Sequence, residues 1–403
     1  MRQEELEKFC DDLFAVLPRR DQRRWAHTYV RGLVGCEGKK SIQSMSSMVG
    51  ERCADQSLQQ FVNQSTWQWE PVRRRLAEHV AARTRLCAWT INEVVFPKTG
   101  QYSVGVDYQY AGSLGRAVNC QLGLTLSYVT DIGAMPLDWR LMLPKAWDDD
   151  DARRRKAYLP DHERHRPPWC ELLALVDEVI GEWGLPSAPL VADLRHCSGI
   201  EELTAALNDR GVGYLLRVGS GFTARMGASP DPVQRPGSVA VRRPRPLSGP
   251  HRVSALAESL SGQSRQVVRR AREGAGHESW SQFVTAPIRP ELPAGRAPAR
   301  RGLGAMIRLL LQWPRGRRHP QAYWVTNQSD AALEELLTLW QRRLMAERHL
   351  RLMRANFGLT DFEGRSYRGW HHHVTLVAIA HAYAVLYGVE PARALLDATA
   401  ETS

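Results

Sequence analysis

Residues 88–100, AWTINEVVFPKTG, form an apolar run that carries an amide and an acid side by side before it breaks at Pro97 and Gly100. Its β-branched and aromatic residues read as a buried strand. A polar pair in such a strand either lines an active site or is what remains of one. The pair is Asn92 and Glu93. Two further runs, YSVGVDYQY (102–110) and NCQLGLTLSYV (119–129), also read as strands. The tight AGSLG (111–115) between them marks a hairpin. PLDWRLML (136–143) extends the sheet.

Beyond this sheet the texture alternates. The charged stretch DDDDARRRKAYLPDHERHRPP (148–168) reads as a polar loop. ELLALVDEVIGEWG (171–184) is a helix closed by Gly184, and APLVADL (188–194) is a short buried strand. GIEELTAALNDRG (199–211) is a second helix, followed by the strand VGYLLRVG (212–219). Strands first, then α–β alternation, predict an α/β class with a mixed sheet covered by helices. QAYWVTN (321–327) resumes the sheet. A long amphipathic helix then runs over 329–358, with Ser329 or Asp330 as its cap and Gly358 as its stop. GWHHHVTLVAIAHAYAVLYG (369–388) is apolar enough for a final helix buried on most sides.

Ahead of the opening stretch, residues 1–85 read as helical. Leu6, Phe9, Leu13 and Leu17, then Trp25, Tyr29 and Leu33, recur at helical spacing, and Gly35 marks a stop. Arg73, Arg74 and Arg75, with Lys39 and Lys40, are expected on the surface of this part, as DNA contacts or as a solvated face. Residues 221–320 are rich in Pro, Gly and Arg and read as an insertion, part strand and part loop. The expected division is therefore 1–86, 87–220, 221–320 and 321–403. The formal net charge is +11, almost all of its basic residues Arg. That suggests a polyanionic partner, nucleic acid first, or else an Arg-rich codon usage. The seven cysteines form no C-x-x-C pair, so no disulfide framework or zinc site is signalled. No run is long enough to span a membrane, and the acidic N-terminus is not a signal peptide. A cytoplasmic, nucleoid-associated protein is expected.

Several stretches together resemble insertion-sequence transposases of the DDE superfamily. They are DQRRWAHTYVRGL (21–33), SLQQFVNQSTWQWEPVRRRLAEHV (57–80), VGVDYQYAGSLGRAVNCQLGLTL (104–126), PLDWRLMLPKAW (136–147) and FGLTDFEGRSYRGWHHHVTLV (357–377). The resemblance implies an RNase H-like catalytic core, an N-terminal helical DNA-binding domain and a late β-rich insertion. It implies double-stranded DNA as partner, and it is compatible with a homodimer. It also implies two divalent metals, Mg²⁺ or Mn²⁺, held by three acids.

The family's first segment resembles I-D-D-T-G-F-P-K, matched here by residues 91–98, so Asn92 stands for the first Asp and Glu93 for the ligand. The second acid matches Asp193, followed here by Leu194-Arg195-His196. The third lies in a Y-x₂-R-x₃-E-x₆-K pattern, matched by Trp340, Arg343, Glu347 and Arg354. The triad carried over is thus Glu93, Asp193 and Glu347, with Arg73, Arg74, Arg75, Arg343 and Arg354 as DNA contacts. Glu is one methylene longer than Asp, and a misplacement on the order of 1 Å can cost about a hundredfold in rate. With a cation beside Asp193, these departures point to a degenerate nuclease site. The expected function is a domesticated, transposase-like DNA-binding protein, acting in transcriptional control, rather than an enzyme. The competing reading is an active transposase with a Glu-Asp-Glu site. A third reuses the cleft, with His196 and Cys197. The His371–His373 tract is read as structural or phosphate-contacting. The run Arg270 to Gly274 lacks the base-stacking Trp of the family's insertion.

Overall fold

The computed structural model describes residues 3–48, 54–227, 249–262, 265–271, 278–291, 304–314, 316–317 and 319–389. In chain order the helices α1 (Gln3–Phe14), α2 (Arg20–Gly35), α3 (Ile42–Ser47), α4 (Ala54–Asn63) and α5 (Trp69–Ala81) come first. The strands β1 (Ala88–Pro97), β2 (Asp107–Ala111), β3 (Arg116–Val129) and β4 (Ala134–Met142) follow. Then come α6 (Asp151–Lys156), α7 (Pro168–Val176), β5 (Leu190–Asp193), α8 (Ile200–Asp209), β6 (Tyr214–Val218), β7 (Thr223–Met226) and β8 (His251–Arg252). The chain continues with α9 (Val253–Ser259), β9 (Gln266–Ala271), β10 (Glu278–Pro290), β11 (Ile307–Pro314) and β12 (Ala322–Thr326). It closes with α10 (Leu333–Asn356) and α11 (Tyr367–Leu386). The class is mixed α/β, as expected, and the order is consistent with an RNase H-like fold.

Two compact units divide the chain. The first holds residues 1–166, 174–187 and 342–403; the second holds 167–173 and 188–341. The N-terminal helices therefore share a unit with β1–β4 and α11. In that unit β3 is the spine. β1 pairs antiparallel along one edge, over Cys120 to Val129. On its other edge β2 covers Arg116 to Cys120 and β4 covers Leu122 to Val129. The expected hairpin is there, with Gly115 at φ 65° and its N–H bonded to the Ala111 carbonyl. α11 packs on β4, α2, α4 and α5. Surrounded in this way, it buries every residue from Gly369 to Val385, which is what its all-round apolar sequence asks for.

In the second unit β5 and β6 pair in parallel through α8, and β12 adds antiparallel to β6. The late insertion prolongs this order. β11 pairs with β12, β10 with β11, and β9 and β7 share the far edge of β10.

Three expectations change. The charged stretch after Trp147 contains a short helix, α6, because Asp150 caps it by accepting the Arg153 N–H. The helix expected to start at Ser329 or Asp330 begins at Leu333, where Glu335 reaches back to the Ala332 N–H as in a capping box. The strand expected from residue 102 begins only at Asp107. Gly358, at φ 66°, does stop α10. Among the described residues no helix is long and apolar enough to cross a membrane.

Candidate functional site

Alternation along β1 sends consecutive side chains to opposite faces. Asn92 is buried and lies across from Thr125. On the same face Val94 lies across from Gly123, against which the Trp370 ring of α11 packs. Glu93 points the other way and is half-buried. Its Oε1 accepts the Ser113 N–H at 3.0 Å, from the turn between β2 and β3. Burial, with the Glu93 carboxylate adding to it, pushes the nearby Cys120 thiol up to about 11. The strand thus places Asn92 and Glu93 on different faces.

Asp193 ends β5 with its side chain 6% exposed. Arg195 Nη2 lies 3.0 Å from Oδ2, and Arg217 Nη1 lies 3.4 Å from the same oxygen. Arg217 is the register partner of Asp193 in the parallel pair. Its guanidinium stands 5.9 and 6.0 Å from the ring centroids of Trp324 and Trp340, which themselves meet edge to face. Gly219, just past β6, allows the backbone of Arg195 to approach. A Cβ there would fall 2.7 Å from the Arg195 carbonyl oxygen. Gly219→Ala is therefore expected to displace Arg195 and to lower stability by about 1–3 kcal/mol, read from urea unfolding midpoints.

On α10, Arg343 Nη2 donates to Glu347 Oε1 at 2.8 Å, one turn apart. Arg343 is largely buried. Arg354 is half-buried, and burial first, then the neighbouring Arg351, pushes its guanidinium down from the usual range. The Arg run on α5 does not form the surface expected of it. Arg73 is 1% exposed and donates to Asp138 at 2.8 Å, to Thr375 at 2.7 Å and to the Trp139 carbonyl at 3.0 Å. It is corrected from a DNA contact to a core residue, because helical rotation aligns it with the buried Leu76, Ala77 and Val80. Arg74 is exposed and pairs with Glu78, while Arg75 pairs with Asp12 and Glu78. Lys40 is also buried, its ammonium turned onto the Cys36 carbonyl. Lys39 remains exposed.

The His tract is core as well. His371 stacks on Trp69, His372 on Trp67 and His373 on Phe362. Tyr29 donates to His373 Nδ1 at 2.9 Å, and Arg73 donates to His371 Nδ1 at 3.1 Å. The expected structural role is what the contacts describe; the three rings point apart and are not a ligand set.

Glu93 and Glu347 thus belong to the first unit and Asp193 to the second, and each is engaged within its own unit. Among the described residues no three His, Cys, Asp or Glu side chains form a group that could hold a metal ion. A family described as DDE superfamily endonuclease matches residues 12–282, more than half of the chain. The chain belongs to that family. No curated protein matches its sequence.

Membership in the DDE superfamily implies divalent metal. The donor set at Asp193 does not fit one. A dication at Oδ2 would face the guanidinium charges of Arg195 and Arg217 at contact range. Sequence reasoning noticed Arg195 and missed Arg217. Nothing in the sequence marks Arg217, since its place follows from the register of β5 and β6. Of the Arg270 to Gly274 run, residues 272–274 lie outside the described residues.

Proposed function

We propose that this chain is a transposase-like DNA-binding protein, a domesticated DDE transposase whose metal-dependent nuclease centre is impaired, acting in transcriptional control. The observation that supports this reading most directly is the pair of guanidiniums on Asp193, the one catalytic Asp that the family pattern retains. They neutralise the carboxylate in place of a cation and leave a local charge that favours phosphate over metal. The net charge of +11 supports a polyanionic partner. A homodimer is part of the proposal and is checked by light scattering.

Two assays test it. Gel shifts should show DNA binding that weakens steeply with salt, with a log–log slope of about −0.9 per phosphate contact. DNA carrying the ends of the parent element should not be nicked in Mg²⁺ or Mn²⁺. Nicking that requires metal and disappears in Asp193→Ala would overturn the impaired centre in favour of a Glu-Asp-Glu enzyme. Inverted repeats flanking the gene would argue against domestication.

A further inference from the structure

The end of the opening stretch lines a cavity that the metal chemistry does not use. It measures about 400 Å³, within the range of small-ligand sites, and lies wholly in the first unit. Its walls are the segment after β1, with Lys98, Thr99 and Gly100, then Tyr102 and Ser103, and the run from Thr360 to Arg365. Lys39 closes one side.

The walls are fixed by hydrogen bonds. Asn119 Nδ2 holds the carbonyls of Lys98 and Gly100 at 2.6 and 3.1 Å. The Val104 N–H bonds the Arg365 carbonyl at 3.0 Å, tying the two segments together. Phe362 stacks on the buried His373 and so anchors the third wall to α11. Asp361 accepts the Lys40 N–H at 2.8 Å, and Glu363 pairs with Lys39 at 2.6 Å. Both carboxylates of the lining are thus engaged by the 39–40 segment. Lys98 Nζ donates to the Phe362 carbonyl at 2.6 Å, and Arg365 lies 5.5 Å from the Tyr102 ring centroid. The Tyr102 ring is 65% exposed. The cavity therefore sets an ammonium, held by a carbonyl and within the field of the Glu363 carboxylate, beside an exposed aromatic ring backed by a guanidinium.

That combination matches one ligand chemistry. A phosphate oxygen accepts from an ammonium, and a base lies on an aromatic ring. Burial pushes the Lys98 ammonium below the usual lysine range; Glu363 opposes that in part, and a bound phosphate would add to its effect. A base inside a duplex has no free face to offer such a ring. We propose that this cavity takes one unpaired nucleotide of a DNA strand, its base on Tyr102 and its phosphate at Lys98. This rests on the DNA-binding reading above and adds a preference for single-stranded segments.

The test uses the full chain, a fluorescein-labelled oligothymidylate and a blunt duplex, compared by anisotropy at low salt. Tyr102→Ala is expected to lose about tenfold in affinity for the oligothymidylate, the scale of one stacked base, with duplex binding unchanged. Tyr102→Phe should bind as the parent does, and so should Tyr108→Ala, which removes another exposed tyrosine. Lys98→Gln should weaken single-strand binding and flatten its salt dependence. Parent-like binding of oligothymidylate by Tyr102→Ala, or an equal loss on both DNAs, would overturn the nucleotide site and leave duplex binding standing. A parent chain that binds neither DNA would remove the DNA-binding reading and this inference with it.

Discussion

Arg73→Ala is expected to lower the stability of the first unit by about 3–5 kcal/mol, the scale for removing one partner of a buried ion pair. Asp138 would then be left charged with its side chain 2% exposed. Its second oxygen already lacks a partner among the described residues. The loss would spread, because the same guanidinium also serves Thr375, the Trp139 carbonyl and His371. Urea unfolding measures it. Arg74→Ala, at an exposed position one residue on, should stay within about 0.5 kcal/mol. Arg73→Met with Asp138→Leu should recover much of the loss, since it removes both buried charges together. Equal, small effects of Arg73→Ala and Arg74→Ala would refute the core role of Arg73.

Acid should unfold this protein earlier than its carboxylates alone would dictate. Burial pushes His349 and His373 down to about 4 and His372 to about 3, and holds His371 and His381 well below the usual histidine range. The unfolded chain titrates these rings near pH ~6.5. Above that value both states are neutral and stability is flat with respect to them. As pH falls toward 4 the unfolded chain takes up protons that the folded chain refuses, and each histidine then costs up to about 1.4 kcal/mol per pH unit. Glu178 acts in the opposite direction. Burial, with Asp138 adding to it, raises its carboxyl to about 7, so it holds a proton in the folded state that the unfolded chain has released. Glu201, also pushed up by burial, acts the same way, and the two offset only part of the effect of the five histidines. Unfolding free energies at a series of pH values should therefore fall steeply between pH 6.5 and 4. A level profile across that window would contradict the buried neutral tract.

Much of this was readable in advance. The apolar run of residues 88–96 had to be a strand, and the helix stops at Gly184 and Gly358 followed from residues that tolerate φ near 66°. The burial of α11 was legible because polar residues are too few to leave it a wet side. Some misreadings were avoidable. Arg73 lies three and four residues before Leu76 and Ala77, on the apolar stripe of α5, and the same spacing rule that identified the helix places it inward. Asn92 and Glu93 obey a period of two, which separates neighbours along a strand.

Other features had no local signal. Arg217 reaches Asp193 only because β5 and β6 pair in one register, and Gly219 matters only because the Arg195 carbonyl passes close by. Lys98, Tyr102 and Arg365 meet at one cavity because the Val104 N–H bonds the Arg365 carbonyl, some 260 residues on in sequence. The sequence by itself determined the class of fold and the family, and the resemblance singled out the three acids proposed for its metal positions. Local periodicity and linked motifs carry that information, since each depends on residues within a few turns. Only the tertiary structure decided that Ser113 meets Glu93 and that Arg217 meets Asp193; the pairs Arg195 with Asp193 and Arg343 with Glu347 are local. The partners of Glu93 and Asp193 come from strand register and turn geometry, and whether any of these acids serves a metal depends on the neighbours that hold it.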